Sequence, residues 1–447
     1  MKRIFVFFLV VVMLCGTLSA SALFSNLYCE PGDVDGDGAV NNRDLALLQQ
    51  VLNGWDATVG GILDVNEDGQ VNNRDVATLQ QMLNGFSGIQ TKSTKVASKY
   101  VSLGAPAAEY YPTNKLAQCA WDMAIHDGRL YVGCGDYYKN SGDTPILSCP
   151  LNDLGNWTVE AVIPDEQVGR FVDVNGVLTI PGFDPVGGPQ YGSYYELLDG
   201  QWVQQEMLPY GLHNFDIVWF QGRMYAAVGA DRGESPIAYT EDGVTYETLP
   251  LYKDGQQVST ANSNVIRSCN LYVLGNELYA DFWYEDESLN RATFEMYHYN
   301  VAKDRFDYVA DLKTSVHGGK YSPASLPLWE KEAVGDKMFL TTGYLYYTTD
   351  FVTYNPVTIP NDAVVYDMVN YNDVLYILTA YETGSKYTVT VYSTTAAKPT
   401  GLRTEATYSY ALAPTSFAVD ADNFFIGMGN WYGTGSAGNG TILQIER

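Results

Sequence analysis

Asp127-Gly128-Arg129-Leu130-Tyr131-Val132 is a tight turn between two apolar runs, and the chain repeats it. The same hairpin returns as Asn175-Gly176-Val177-Leu178-Thr179-Ile180, Gln221-Gly222-Arg223-Met224-Tyr225-Ala226 and Gly275-Asn276-Glu277-Leu278-Tyr279-Ala280. Three more follow: Gly335-Asp336-Lys337-Met338-Phe339-Leu340, Asn372-Asp373-Val374-Leu375-Tyr376-Ile377 and Ala421-Asp422-Asn423-Phe424-Phe425-Ile426. Asn, Asp and Gly are the residues that tolerate positive φ, so each copy reads as a hairpin with a two-residue turn. Copies recurring about every fifty residues match the period of four-stranded propeller blades. The expected fold is mainly β, a seven-bladed β-propeller over residues 105–447, preceded by a small helical module. The chain ends just after a third strand, Thr441 to Ile445. A strand from within 97–112 is therefore expected to complete the last blade, which removes two exposed edges.

Counting five residues back from each turn reaches the start of the expected innermost strand. The residues there are Asp122, Arg170, Asp216, Asn270, Glu330, Asp367 and Ser416. All are polar, whereas the position two later on the same face reads Ala, Val, Val, Tyr, Glu, Val, Ala. Aromatic residues precede four of them: Trp121, Phe215, Trp329 and Tyr366. A ring of polar groups at the channel mouth, with aromatic platforms, suits sugar recognition. Asp122, Asp216, Glu330 and Asp367 are the candidate catalytic residues, and Arg170, Asn270, Trp121 and Trp329 the candidate substrate contacts. Two carboxylates about 5 to 9 Å apart can hydrolyse a glycosidic bond. Inner-strand polar residues also line water-filled channels that bind nothing. A non-catalytic carbohydrate- or protein-binding propeller therefore stands as the alternative. A lyase is a further one, with His213, near Asp216 and Arg170, as base. No Gly-x-Ser-x-Gly turn supports a serine hydrolase.

Before this domain lie two acidic loops of one design. Asp33-Val34-Asp35-Gly36-Asp37-Gly38 runs on to Asp44, and Asp64-Val65-Asn66-Glu67-Asp68-Gly69 to Asp75. Asp or Asn stands at loop positions 1, 3, 5 and 9 (Asn41 and Asn72), Gly at 6 and a carboxylate at 12. That is the spacing of an EF-hand calcium loop, with Asp in place of the terminal Glu. The expected cofactor is two calcium ions, held by Asp33, Asp35, Asp37, Asn41 and Asp44, and by Asp64, Asn66, Asp68, Asn72 and Asp75. After each loop comes one helical repeat, Asn42 to Trp55 and Asn73 to Phe86, with Leu45, Leu48, Val51 and Leu52 at helical spacing and Gly54 as the stop,.

Residues 30–86 resemble a type I dockerin, the module that plugs enzymes into the cohesins of cellulosomal scaffoldins. The resemblance implies a cohesin partner contacted by Asn42, Arg43, Gln49, Gln50, Asn73, Arg74, Gln80 and Gln81. Where that family often has Ser-Thr at loop positions 10 and 11, this chain has Asn-Arg twice. Because dockerin cargo is mostly polysaccharide-degrading, the resemblance also implies a carbohydrate-active propeller, a glycoside hydrolase on plant polysaccharide being the first expectation. Two turns in the large domain, Thr240-Glu241-Asp242-Gly243-Val244-Thr245-Tyr246 and Thr348-Thr349-Asp350-Phe351-Val352-Thr353-Tyr354, resemble the Asp-box of sialidase-like propellers. The second lacks the Gly. In that family the box is a structural turn on the face away from the active site.

Residues 1–22 read as a secretory signal, with Lys2 and Arg3, an apolar run from Ile4 to Leu14 and Ala20-Ser21-Ala22,. The mature chain is expected to be extracellular and cellulosome-associated. Residues 87–104, polar and without periodicity, read as a linker. A formal net charge of −26 argues against nucleic acid and anionic membranes as partners,. It favours a neutral polysaccharide over a polyanion. Of the five cysteines beyond the signal, Cys134 and Cys149 stand on neighbouring strand-like runs. A cross-strand disulfide and buried free thiols are both compatible with that spacing.

Overall fold

The computed structural model describes residues 32–35, 40–55, 63, 65–66, 71–84, 98–137, 142–182, 184, 191–209, 213–230, 234–260, 263–286, 291–312, 330–341, 343–430 and 435–447. The expected signal, Asp37, Asp64, Asp68, Trp329 and Cys29 lie outside these residues. The chain divides into two compact units between residues 96 and 97.

The first unit contains helices α1 (Asn42–Leu52) and α2 (Asn73–Leu83). Both begin the same way. The Asn41 and Asn72 side chains accept from the Arg43 and Arg74 amides, each at 2.8 Å, while Asp44 and Asp75 reach back to the capping residue in a capping box,. α1 stops where Gly54 takes φ +74°,. Val34, Leu48, Val65 and Leu79, one loop and one helix residue from each repeat, are fully buried together.

The second unit is built of antiparallel sheets. Five have four strands each and form a five-blade propeller arrangement; a sixth has eleven strands. The expectation of seven blades is thereby corrected. The hairpins at Gln221-Gly222 and Gly275-Asn276 do not head separate sheets. Strand Glu277–Asp286 is ten residues long and outruns its partner Leu271–Leu274. Its spare edge takes up Ser263–Arg267, which in turn pairs with Gly229 and Ala230 at the end of strand Arg223–Ala230. Leu251–Lys253 adds in parallel to Arg305–Asp311 on the other side. Unsatisfied backbone along a long strand recruits whatever chain lies beside it, and here it joins two repeats into one sheet.

The turns behave as their residues dictate. Asp127-Gly128, Asn175-Gly176, Gln221-Gly222 and Asn372-Asp373 all have positive φ at both positions, the primed turn that matches strand twist,. Val101–Ser102, inside the 97–112 window, pairs with Thr441–Glu446 and completes the last sheet. Ala418, Phe425 and Ile442 of that sheet pack on Leu130, Val132 and Leu147 of the first. Burial of each large apolar side chain there contributes about 1.5–3 kcal/mol.

Asp242 and Asp350 organise matching turns. Each carboxylate accepts from the amides two and three residues on, at 2.9 and 2.7 Å. Phe351, standing where the other turn has Gly243, takes φ +55°. Its ring is fully buried against Tyr279 and Tyr272, which holds the unfavourable backbone,. All four cysteines among the described residues, Cys119, Cys134, Cys149 and Cys269, are buried free thiols. Of the two readings open for Cys134 and Cys149, the buried free thiols are what the structure has.

Candidate functional site

In the first unit, Asp44 Oδ1 accepts from the amides of Val34 (2.8 Å) and Asp35 (3.1 Å), and Oδ2 from Asn41 (2.8 Å). Asp75 repeats this with Asn66 (3.1 Å) and Asn72 (2.8 Å). Each terminal carboxylate thus folds its own loop onto its own helix. Oxygens of Asp33, Asp35 and Asp44 lie within 4.8 Å of one another, with Asp33 and Asp44 fully buried. Carboxylates gathered that closely and removed from water suit a hard divalent cation with oxygen ligands. The second loop contributes Asn66, Asn72 and Asp75 among the described residues. On the helices, Asn42, Arg43, Gln49, Asn73, Arg74, Gln80 and Gln81 are exposed and Gln50 is half-buried.

In the large unit the polar ring assembles at the end of the sheets where the inner strands begin. Backbone bulges precede Asp216, Asp367 and Ser416 and re-aim those side chains,. The partners explain three of the carboxylates. Asp122 Oδ2 accepts from the amide of Phe171 at 2.6 Å, Asp216 Oδ2 from Leu271 at 2.8 Å, and Asp367 from Phe417. Phe171, Leu271 and Phe417 each follow the ring position of the next inner strand: Arg170, Asn270 and Ser416. The same clasp therefore ties one inner strand to the next at three places.

Asp216 is fully buried between two cations. Arg170 Nη1 lies 3.4 Å from it and also reaches Asn270 Oδ1 at 3.4 Å. The second cation is Lys331, whose ammonium bonds both Asp216 and the Leu271 carbonyl. Asn270 is held from behind by Asp281, which accepts from the Asn270 side chain and from the amides of Cys269 and Asn270. Lys331 was invisible to strand counting because it sits one residue past the ring, on the other strand face. Glu330 differs from the three Asp residues, for its half-buried carboxyl makes no hydrogen bond among the described residues. Burial raises its pKa, and Asp216 adds to the shift against the pull of Arg170 and Lys331,.

Burial, and after it the neighbouring Glu330, raises the carboxyls of Asp122 and Glu332. Asp122 is pushed up to about 7, by burial first and Glu330 next. Glu332, two residues past Glu330, is pushed up to about 8 by the same causes. Both groups ionise near 4 in an unfolded chain, so the folded state binds more protons over the interval between. The stability they confer is complete below about pH 4 and is lost as pH rises through 7 to 8. The melting temperature of the large unit should therefore fall by several degrees between mildly acidic and mildly alkaline buffer. Asp122→Asn with Glu332→Gln should flatten that slope, as differential scanning calorimetry across pH would show. A flat profile in the unmodified protein would contradict these shifts.

Residues 31–84 match the type I dockerin domain. No curated protein matches the chain. Among solved structures, the chain is similar to Sqt1 of Saccharomyces cerevisiae, at 10% identity over 79% of this chain and 100% of that one, with a TM-score of 0.39. An ulvan lyase is similar at 11% identity over 80% and 96%, TM-score 0.40. The α-L-arabinofuranosidase of Fusarium graminearum is similar at 12% over 67% and 98%, TM-score 0.40.

Proposed function

We propose that this protein is a secreted cellulosome component whose dockerin binds two calcium ions and a scaffoldin cohesin, and whose propeller hydrolyses plant polysaccharide. The observation that carries the docking half is the matched pair Asp44 and Asp75, two terminal carboxylates performing one task in two loops. In the first loop Asp33, Asp35, Asn41 and Asp44 would hold the ion with Asp37. In the second, Asn66, Asn72 and Asp75 would do so with Asp64 and Asp68. Bound calcium supplies the positive charge that lets these carboxylates approach one another, and so orders the loop that precedes each helix. The exposed Asn-Arg and Gln residues of both helices then present two nearly equivalent faces to a cohesin.

For the propeller the reading is a glycoside hydrolase working at the mouth. Asp122, Asp216 and Asp367 already hold backbone amides, so Glu330 is the ring carboxyl left to face substrate. There it would stabilise positive charge developing on the sugar ring, beside Arg170 as a polar contact and Trp121 as a platform. The test is the full chain against xylan, arabinan, galactan and mixed-linkage glucan, with reducing ends and unsaturated products measured in parallel. Reducing ends without unsaturated product are expected, falling sharply in Glu330→Gln. Absence of both products on every substrate would overturn the hydrolase reading and leave the docking reading untouched.

A further inference from the structure

Lys331 and Asp216 meet across a strand that belongs to neither of them. Asp216 stands on the inner strand Asn214–Phe220 and Lys331 on Glu330–Val334, 115 residues later in the chain. Between them runs Leu271–Leu274, which touches both strands and whose first residue holds both side chains. The Leu271 amide donates to Asp216 Oδ2 at 2.8 Å, and the Leu271 carbonyl accepts from Lys331 Nζ. Nζ also bonds Asp216 Oδ2 directly.

Little water reaches this pair. Asp216 is fully buried and the Lys331 side chain is 16% exposed. Nζ lies 5.2 Å from the ring centroid of Tyr272, which is itself buried. Arg170 Nη1 stands 3.4 Å from Oδ1, the other oxygen of the Asp216 carboxylate. Burial first lowers the Lys331 ammonium from its usual value; Asp216 opposes that shift and Arg170 adds to it,. A buried ammonium–carboxylate pair loses little by passing one proton from nitrogen to oxygen, which leaves an amine beside a carboxylic acid. The groups that amide formation needs are then in place. Arg170 faces the oxygen that carries negative charge once the amine has attacked. The Leu271 amide faces the oxygen that leaves, and the Leu271 carbonyl orients the amine,.

We infer that Lys331 and Asp216 condense into a side-chain amide, a covalent cross-link between the two inner strands. It rests on neither the docking nor the hydrolase reading. One proton passes from the ammonium to Oδ2. The Nζ lone pair then adds to Cγ, and the electrons of the Cγ–Oδ1 double bond move onto Oδ1 beside Arg170. Nitrogen gives a second proton to the Oδ2 hydroxyl, the Cγ–Oδ2 bond breaks and Oδ2 departs as water. Oδ1 regains its double bond, and one N–H remains on the new amide. Nothing is oxidised or reduced, and no co-reactant enters. Arg170 keeps Glu330 and Asp122 as neighbouring acids. The link supplies a covalent tie that the four cysteines among the described residues, all free thiols, do not. Joining residues 115 apart, it restricts the unfolded chain as a disulfide of that span would,.

The test is the intact mass of the full chain, purified folded and then denatured. The wild type should weigh one water less than its mature sequence, and Asp216→Ala and Lys331→Met should each show their full sequence mass. Digestion of the wild type should release one branched peptide joining the segments that contain residues 216 and 331, with fragmentation placing the bond at Nζ. On a reducing, denaturing gel the looped wild type should migrate faster than Lys331→Arg, which keeps the cation without the amine. Should the Ala and Met variants fail to fold, Lys331→Arg serves as the unlinked reference. A wild type that shows a normal melting transition and its full sequence mass overturns the inference. So does a water loss that persists in Lys331→Arg or maps to other residues, as a succinimide would. Either result leaves the docking and hydrolase readings standing.

Discussion

Replacing Asp44 and Asp75 together with Ala, or stripping calcium with a chelator, should abolish cohesin binding and erase the α-helical signal of α1 and α2. The expectation follows from where the helices are. Among the described residues α-helix occurs only in α1 and α2, since the large unit is strands, turns and short 3-10 segments. Among the described residues, far-UV circular dichroism at the helical band therefore reports on the small unit. Among the described residues that unit has a thin core, four fully buried apolar side chains with partly buried neighbours. So small a core supplies only a few kcal/mol and needs reinforcement. Calcium at a thousandfold excess over its Kd adds about 4 kcal/mol, enough to decide whether such a unit is folded. Asp44 also accepts from three loop amides, so losing it opens the helix start as well as the ion site. Cohesin affinity should weaken by at least about 10³-fold, the ratio of populations that about 4 kcal/mol implies. The large unit should keep its own thermal transition unchanged. Helical signal and cohesin binding that survive chelation would remove calcium from the account of this unit.

Much of the second unit could be read from local rules, because primed turns admit few residues. Asp127-Gly128 and Asn175-Gly176 announce themselves, and strand starts can be counted back from them. Which strand edges merge could not be read. The junction rests on Ser263–Arg267, whose pairing is bulged, and on the ten-residue length of Glu277–Asp286. The ring was found as positions, not as roles. A carboxylate that clasps the next strand's backbone amide and one that faces substrate look alike in sequence, since the amide belongs to every residue. His213 stands near Asp216 in the sequence, yet its Nδ1 lies 3.0 Å from Asp184, twenty-nine residues earlier in a loop without periodicity.

The clasp has a consequence large enough to test on its own. Asp216→Ala should destabilise the large unit by about 3–5 kcal/mol, because it strands Arg170 and Lys331 in a buried site without their counter-charge. It also leaves the Leu271 amide without an acceptor,. At roughly 2 °C per kcal/mol for a domain of this size, the melting temperature should drop by about 6–10 °C. Asp216→Asn keeps an oxygen for the amide but loses the charge, and should fall between Ala and wild type. Combining Asp216→Ala with Lys331→Met removes one stranded cation, so part of the loss should return; that coupling is what a double-mutant cycle measures. The sign of the effect separates architecture from chemistry. A carboxylate kept for substrate, and poorly satisfied by its own fold, commonly leaves the protein more stable when removed. An Asp216→Ala protein that melts higher and loses activity would move Asp216 from the clasp to the reaction. One that melts lower, with coupling to Lys331, makes it the bolt between neighbouring inner strands and leaves the chemistry to the carboxyls that the fold does not hold.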